Sequence, residues 1–190
     1  MKTKILQSIA AGAVLSMLVG CIVSSVYPFY TSKDLVFDPG LTGRWAKADA
    51  TNEFWQFTAA GEKSYFLTTT DDHDNCFEAH LFRLNQYQFL DLLTTNRDEF
   101  QLPVHLISLV TRNDTNMSLQ FMDYGWLADL LETNPAVLHH IVVPEKPDDT
   151  NSGNMVYLTG DTLELQKFLL QHAGDTNAFN SRSAVELNRP

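Results

Sequence analysis

The fold is decided by residues 104–122, which read VHLISLVTRNDTNMSLQFM. In the second half of this stretch, Met117, Leu119 and Phe121 alternate with polar residues. An apolar side chain at every second position is typical of a β-strand with one buried face. The Asn-Asp pair at 113–114 supplies residues that favour a tight turn. The stretch therefore predicts a β-hairpin.

The same period of two recurs along most of the chain. The candidate strands are 41–47, 53–58, 63–70, 76–84, 87–94, 104–112, 117–122 and 155–159. Short polar gaps between successive strands favour antiparallel neighbours. Eight strands in this order predict a mainly β fold, either a closed up-and-down barrel or a strongly curved sheet. Closure would leave no exposed sheet edge.

Two later segments change to helical spacing. Residues 123–133 and 161–172 carry apolar side chains three and four positions apart, which predicts two short helices packed outside the barrel. The alternative arrangement is an open antiparallel sheet covered by the two helices. The C-terminal residues 179–190 are predicted to form a polar tail that packs through Phe179.

Composition limits the class of protein. The chain has 190 residues, 13 Lys and Arg, 23 Asp and Glu, and a formal net charge of −10. This is enough chain for one domain with a substantial core. The negative charge argues against a nucleic-acid partner, because no basic stripe is available to contact phosphates. Two Cys residues exclude a disulfide-rich scaffold.

The N-terminus has the pattern of a secretory signal. Lys2 and Lys4 precede an uncharged apolar run at 5–19. This run is short for a span of the ~30 Å hydrocarbon core but is typical of a signal-peptide h-region. The following residues, Leu18-Val19-Gly20-Cys21, resemble the lipobox of bacterial lipoproteins. The alternative is an ordinary secretory signal that happens to contain Cys.

The lipobox resemblance implies a lipid-anchored protein of the bacterial cell envelope. The signal peptide would be 1–20, the lipidated Cys21 and a tether that docks through its aromatic residues would be 21–40, and a single β-rich domain would be 41–190. Two acyl chains would hold the protein stably on a membrane. Ile22 after the Cys resembles the class that is sent to the outer membrane where the host has one.

The first predicted barrel strand opens with a second motif. Gly43-Arg44-Trp45 resembles the Gly-x-Trp motif that begins the barrel of lipocalins and their calycin relatives. This resemblance implies that Trp45 closes the barrel base, that the helix at 161–172 packs outside, and that the interior holds a small apolar or amphipathic ligand. Four further segments resemble a family of bacterial secreted and lipoprotein sequences, which implies no activity: 77–84, 89–92, 102–105 and 163–169.

Few residues suggest chemistry. Nucleophile and phosphate-loop motifs do not occur in the sequence, so we expect no enzymatic activity, no catalytic residues, no cofactor and no metal. The acidic cluster at 71–75 is expected to be a solvated hairpin rather than a cation site, and Cys76 a half-buried strand residue. His80 shares a strand face with Glu78. The candidate ligand-binding residues are Trp45, Trp55, His80 and His105.

Two functions remain open. The first is a non-catalytic structural or interaction module whose outer surface contacts an envelope protein. The second is a lipocalin-like carrier. The large side chains expected to decide between them, by filling the interior or leaving it open, are Trp55, Phe57, Phe66, Phe77, Phe89 and Phe121.

Overall fold

A computed structural model describes residues 22–50, 52–70, 76–95, 102–144 and 154–190. The strands are β1 (Ser24–Ser25), β2 (Gly43–Lys47), β3 (Phe54–Ala59), β4 (Tyr65–Thr69), β5 (Cys76–Leu84), β6 (Tyr87–Thr94), β7 (His105–Arg112), β8 (Asn116–Met122), β9 (His140–Pro144), β10 (Asn154–Leu158) and β11 (Phe179–Asn188). The helices are α1 (Tyr124–Thr133) and α2 (Thr162–His172), with a short 3-10 turn at Pro39–Leu41. Within the described ranges, neither α-helix has the length and apolar character of a membrane span.

Eight strands form a closed antiparallel barrel. Strands β2 to β8 follow one another as a meander, and β6 also pairs with β7, which continues the ring. β11 lies between β8 and β2, antiparallel to both, and completes the closure. The predicted mainly β barrel with two helices outside it is confirmed, and the open-sheet alternative is excluded.

The eighth barrel strand is not the one predicted. The predicted strand at 155–159 corresponds to β10 at Asn154–Leu158, but β10 pairs with β1 and β9 beside the barrel. The barrel is closed instead by β11, where the sequence predicts a polar tail. Residues 180–183 are polar, and the register shifts between Phe179 and Ala184, so only Val185 and Leu187 show the alternation of a strand.

The barrel interior is occupied by large side chains. Trp45 and Trp55 lie directly opposite each other on β2 and β3, and Phe57 and Tyr65 are buried beside them. Of the six residues expected to decide the filling, Trp55, Phe57, Phe77 and Phe121 face this interior core. Phe89 is buried on the opposite face of its strand, and Phe66 is 49% exposed on the outside.

One end of the barrel is closed around the Gly-x-Trp motif. The indole Nε1 of Trp45 donates to the carbonyl of Leu41 over 2.9 Å. The guanidinium of Arg189 lies 4.0 Å from the centre of the Trp45 ring. Gly43 has φ of +105°, which L side chains rarely adopt, and a Cβ there would lie 2.8 Å from Arg189 Nη1. The motif thus combines a backbone conformation that glycine adopts without strain with a fully buried indole ring.

A second core lies outside the barrel. α1 and α2 pack Leu127, Leu131, Leu165 and Phe168 against the outer faces of β5, β6 and β7. Asp123 caps α1 by accepting the N–H of Trp126. The three strands are therefore buried on both faces.

Residues 22–36 form a strap across these strands. The strap begins as β1, which pairs with β7 at His105 and Leu106. It ends at β5, where the N–H of Val36 donates to the carbonyl of Leu81 over 2.9 Å. Between these points Phe29 is fully buried in the outer core, in line with the predicted docking through aromatic residues.

β1, β10 and β9 form a ribbon that extends the sheet beyond the barrel. β10 runs parallel to β1 and antiparallel to β9. Ser24, Tyr157 and Ile141 are paired in one row across the ribbon, and Met155 and Val143 are paired two rows away, which puts them on the same face. Opposite residues in a ladder share a face, so these side chains point to the same side.

Candidate functional site

A buried polar cluster lies where the strap crosses the outer face of the barrel. It contains Asp91 on β6, His80 on β5 and His105 on β7. His80 and Asp91 are direct cross-strand partners, and His105 is two residues from Ile107, the partner of Asp91 on β7. All three side chains therefore share the outer face of the sheet. Tyr30 of the strap stacks on His80.

Asp91 is the centre of the cluster. Its side chain is fully buried, with one carboxylate oxygen 2.7 Å from Nδ1 of His105. The other oxygen accepts the backbone N–H of Phe29 over 3.0 Å. A buried carboxylate is costly unless it is paired and hydrogen-bonded. The docked strap therefore supplies one of the two polar contacts of the buried Asp91 carboxylate.

His80 lies under the ring of Tyr30. The two ring centres are 4.6 Å apart and the rings are stacked. Burial lowers the pKa of His80, and His105 acts in the same direction, whereas the negative charges of Glu78 and Asp91 act against it. Nε2 of His80 lies 3.4 Å from a carboxylate oxygen of Glu78, and Nδ1 is buried without a hydrogen-bond partner among the described residues.

Tyr30 shares the electrostatics of this cluster. Burial raises the pKa of Tyr30, and the nearby carboxylates of Asp91 and Glu78 raise it further. Its phenol is therefore neutral, so Tyr30 contributes to the cluster as an aromatic cover.

The strap is also held from the helix side. Oγ1 of Thr162 donates to the carbonyl of Pro28 over 2.9 Å, and Nε2 of Gln166 donates to the carbonyl of Phe29 and to Asp34. Both donors lie on α2. The strap is thus fixed between the barrel wall and a helix.

The four predicted ligand-binding residues fall into two separate places. Trp45 and Trp55 meet inside the barrel. His80 and His105 meet outside it, on either side of Asp91. The predicted shared face of His80 and Glu78 is confirmed. Cys21 lies outside the described residues, and Cys76 is half-buried at the start of β5, as predicted.

Sequence reasoning missed Asp91 and Tyr30. A signal for Asp91 is present, because a carboxylate interrupts the apolar run Phe89-Leu90-Asp91-Leu92 on the face of buried Phe89. A charged residue at a core position requires a buried partner. The contact of Tyr30 with His80 depends on the path of the strap, which no local pattern encodes.

The chemistry of this cluster centres on the contact between His105 and Asp91. A His Nδ1 bonded to a buried carboxylate is a common way to orient an imidazole for proton transfer. However, no hydroxyl or thiol side chain of the described residues hydrogen-bonds to His80 or His105. The same ranges contain no group of three His, Cys, Asp or Glu residues positioned to hold a metal ion. The acidic cluster at 71–75 lies outside the described residues.

Comparisons with known proteins give no family. A scan of protein-family models finds no match for the chain, and searches of curated proteins and of solved structures find none either.

Removing the Asp91 side chain should weaken the docking of the strap on the barrel. Asp91→Ala leaves the N–H of Phe29 and the imidazole of His105 without their buried partner, and we expect a loss of about 3–5 kcal/mol in the free energy of unfolding. Glu78→Ala, which removes the more exposed carboxylate of the same cluster, should cost less than about 1 kcal/mol. Urea unfolding measures both. Equal losses would contradict the central place of Asp91.

His80 should make the protein less stable in mild acid. Its pKa in the folded state lies below the ordinary value of 6.5, so the unfolded chain takes up a proton first as the pH falls. Stability should therefore decline from about pH 7 to about pH 5.5, above the range in which most carboxyls titrate. His80→Gln should make this decline shallower. His172, whose pKa burial also lowers, carries part of the remainder. An unchanged slope in the variant would refute the assignment.

Proposed function

We propose that this chain is a lipid-anchored protein of the bacterial cell envelope and that it acts as a non-catalytic structural or interaction module. The proposal of a non-catalytic module is supported by the large side chains that occupy the interior of the barrel. Trp45, Phe57, Tyr65 and Leu67 are almost completely buried there. An eight-stranded barrel has room either for side chains or for one small ligand, and here side chains occupy much of it. The outer surface is then where a partner is met.

The lipid anchor is supported by sequence and by the position of the strap. The lipobox-like segment ends at Cys21, directly before the first described residue. Val23, two residues later, is already buried in the outer core. A lipid on Cys21 would therefore hold the folded domain close to the membrane surface.

Acylation of Cys21 is directly testable. In cells fed an alkyne analogue of palmitate, the protein should acquire the label, and Cys21→Ala should abolish it because the acceptor thiol is lost. Cys76→Ala is the matched control, since it removes the other Cys and should leave the label unchanged. Label that persists in Cys21→Ala would refute the anchor.

A carrier function is the second candidate, and a specific observation favours it. Three polar atoms inside the barrel are buried without a hydrogen-bond partner among the described residues: Trp55 Nε1, Thr69 Oγ1 and Ser108 Oγ. Trp55 and Thr69 are direct cross-strand partners. Unpaired buried donors are rare in native proteins, and a bound molecule or a water accounts for them. The closed barrel is compatible with this function.

Native mass spectrometry separates the two candidates. We expect protein purified from its host by mild detergent extraction to carry no mass beyond its own acyl chains, because the interior is largely filled. A reproducible additional mass would favour the carrier. The fraction of protein that carries this mass should then be lower in Trp55→Phe, which keeps an aromatic ring but removes the indole N–H.

A further inference from the structure

One face of the ribbon is apolar and uncovered. Ile141 is 50% exposed and Val143 is 38% exposed, and both point to the side shared by Met155 and Tyr157. Met155 and Tyr157 are half-buried. We call these four residues, with Ile22, the ribbon face. None of them is charged.

The ribbon face ends at the point where the chain reaches Cys21. Ile22 precedes buried Val23 and stands two residues before Ser24, so strand alternation puts its side chain on the side of Tyr157 and Ile141. Neighbouring strands are about 4.8 Å apart, which places β9 only about 10 Å from β1. Cys21 directly precedes Ile22 in the chain, so the Cα atoms of the two residues are about 3.8 Å apart.

No flexible linker would separate a lipid on Cys21 from the folded domain. Ile22 already forms a β-bridge with Asp123, and Ser24 and Ser25 are paired in the sheet. If Cys21 carries acyl chains in a bilayer, the surface around Ile22 must lie at that bilayer. A flexible tether would have allowed any orientation, whereas a docked strap permits a narrow range.

We infer that the ribbon face rests on the lipid bilayer that holds Cys21, with Ile141 and Val143 in contact with the membrane interface. This inference deepens the proposed lipid anchoring and rests on it. The chain as a whole has a formal charge of −10, so an anionic membrane repels most of its surface. The uncharged ribbon face approaches with the smallest electrostatic cost, and Tyr157 has the amphipathic side chain that membrane interfaces favour.

The membrane also accounts for the edge of the ribbon. Among the described strands, β9 has β10 as its one neighbour, and Ile141, Val142 and Val143 follow one another along it. An exposed apolar edge strand without charged residues is prone to pair with another chain. A second copy of this protein is the rival occupant, but it would leave the closeness of Cys21 unexplained.

Site-directed fluorescence tests the orientation. The acylated mature protein, carrying Cys76→Ser and one new Cys labelled with bimane, is reconstituted into phosphatidylethanolamine–phosphatidylglycerol vesicles with or without lipids brominated on their acyl chains. The new Cys is Ile141→Cys or Val143→Cys. The matched control is Val142→Cys, which is 52% exposed next to them but points to the opposite side of the ribbon. Phe66→Cys serves as a distant exposed control.

We expect bimane at 141 and 143 to shift to shorter wavelength and to lose emission when brominated lipid is present, with little change at 142 and 66. Vesicle-bound protein without quenching at 141 and 143 would overturn the orientation and leave the anchor intact. A label at 141 that is shielded without quenching, in a protein that crosslinks as a dimer, would assign the face to a second copy and also overturn it. Protein without acyl mass on Cys21 would refute the anchor and the orientation together.

Discussion

The structure depends on three strands that are buried on both sides. β5, β6 and β7 form one wall of the barrel, and their outer faces form the floor of the core beneath α1, α2 and the strap. Alternate residues of these strands face the barrel interior and the outer core. A shift of register by one position would therefore exchange the side chains of the two cores. This double burial explains why the strands read as nearly continuous apolar runs, as in Phe89-Leu90-Asp91-Leu92.

Asp91 is a fully buried charged residue within these apolar strands, and it contributes to the docking of the strap. A carboxylate at Asp91 weakens an apolar surface, and its cost is offset only when His105 and the N–H of Phe29 reach it. A strap held by apolar contacts alone could slide along the barrel, because apolar contacts are not directional. The bond from Phe29 to Asp91 and the stacking of Tyr30 on His80 act together with the pairing of β1 and β7 and the bond from Val36 to Leu81, and these directional contacts fix one register for the strap.

Much of the barrel could be predicted from sequence, because alternation reports which residues of a strand face a core. That signal is strong at Met117, Leu119 and Phe121. It is absent at residues 180–183, where β11 bulges although the sequence predicts a polar tail. Alternation also does not identify the neighbour of a strand, so the sequence correctly predicts a strand near residues 155–159 but wrongly predicts that it belongs to the barrel. For the polar cluster, strand alternation predicts that His80 and Glu78 share a face. The contacts between the strap and the cluster cannot be predicted in this way, because they depend on the path of the chain in the tertiary structure.

The strap connects the interior of the domain with the place where the chain would meet a membrane. Its first residues lie in the ribbon, its middle is fixed by Asp91, and its end pairs with β5. Any force transmitted through a lipid on Cys21 would therefore act on the barrel wall rather than on a loose linker. Because the carboxylate of Asp91 holds the strap and the strap carries Ile22, the buried cluster and the orientation of the ribbon face are parts of one mechanical arrangement. If Cys21 is acylated and the ribbon face rests on the bilayer as proposed, the surface opposite the ribbon face would be the one open to an envelope partner.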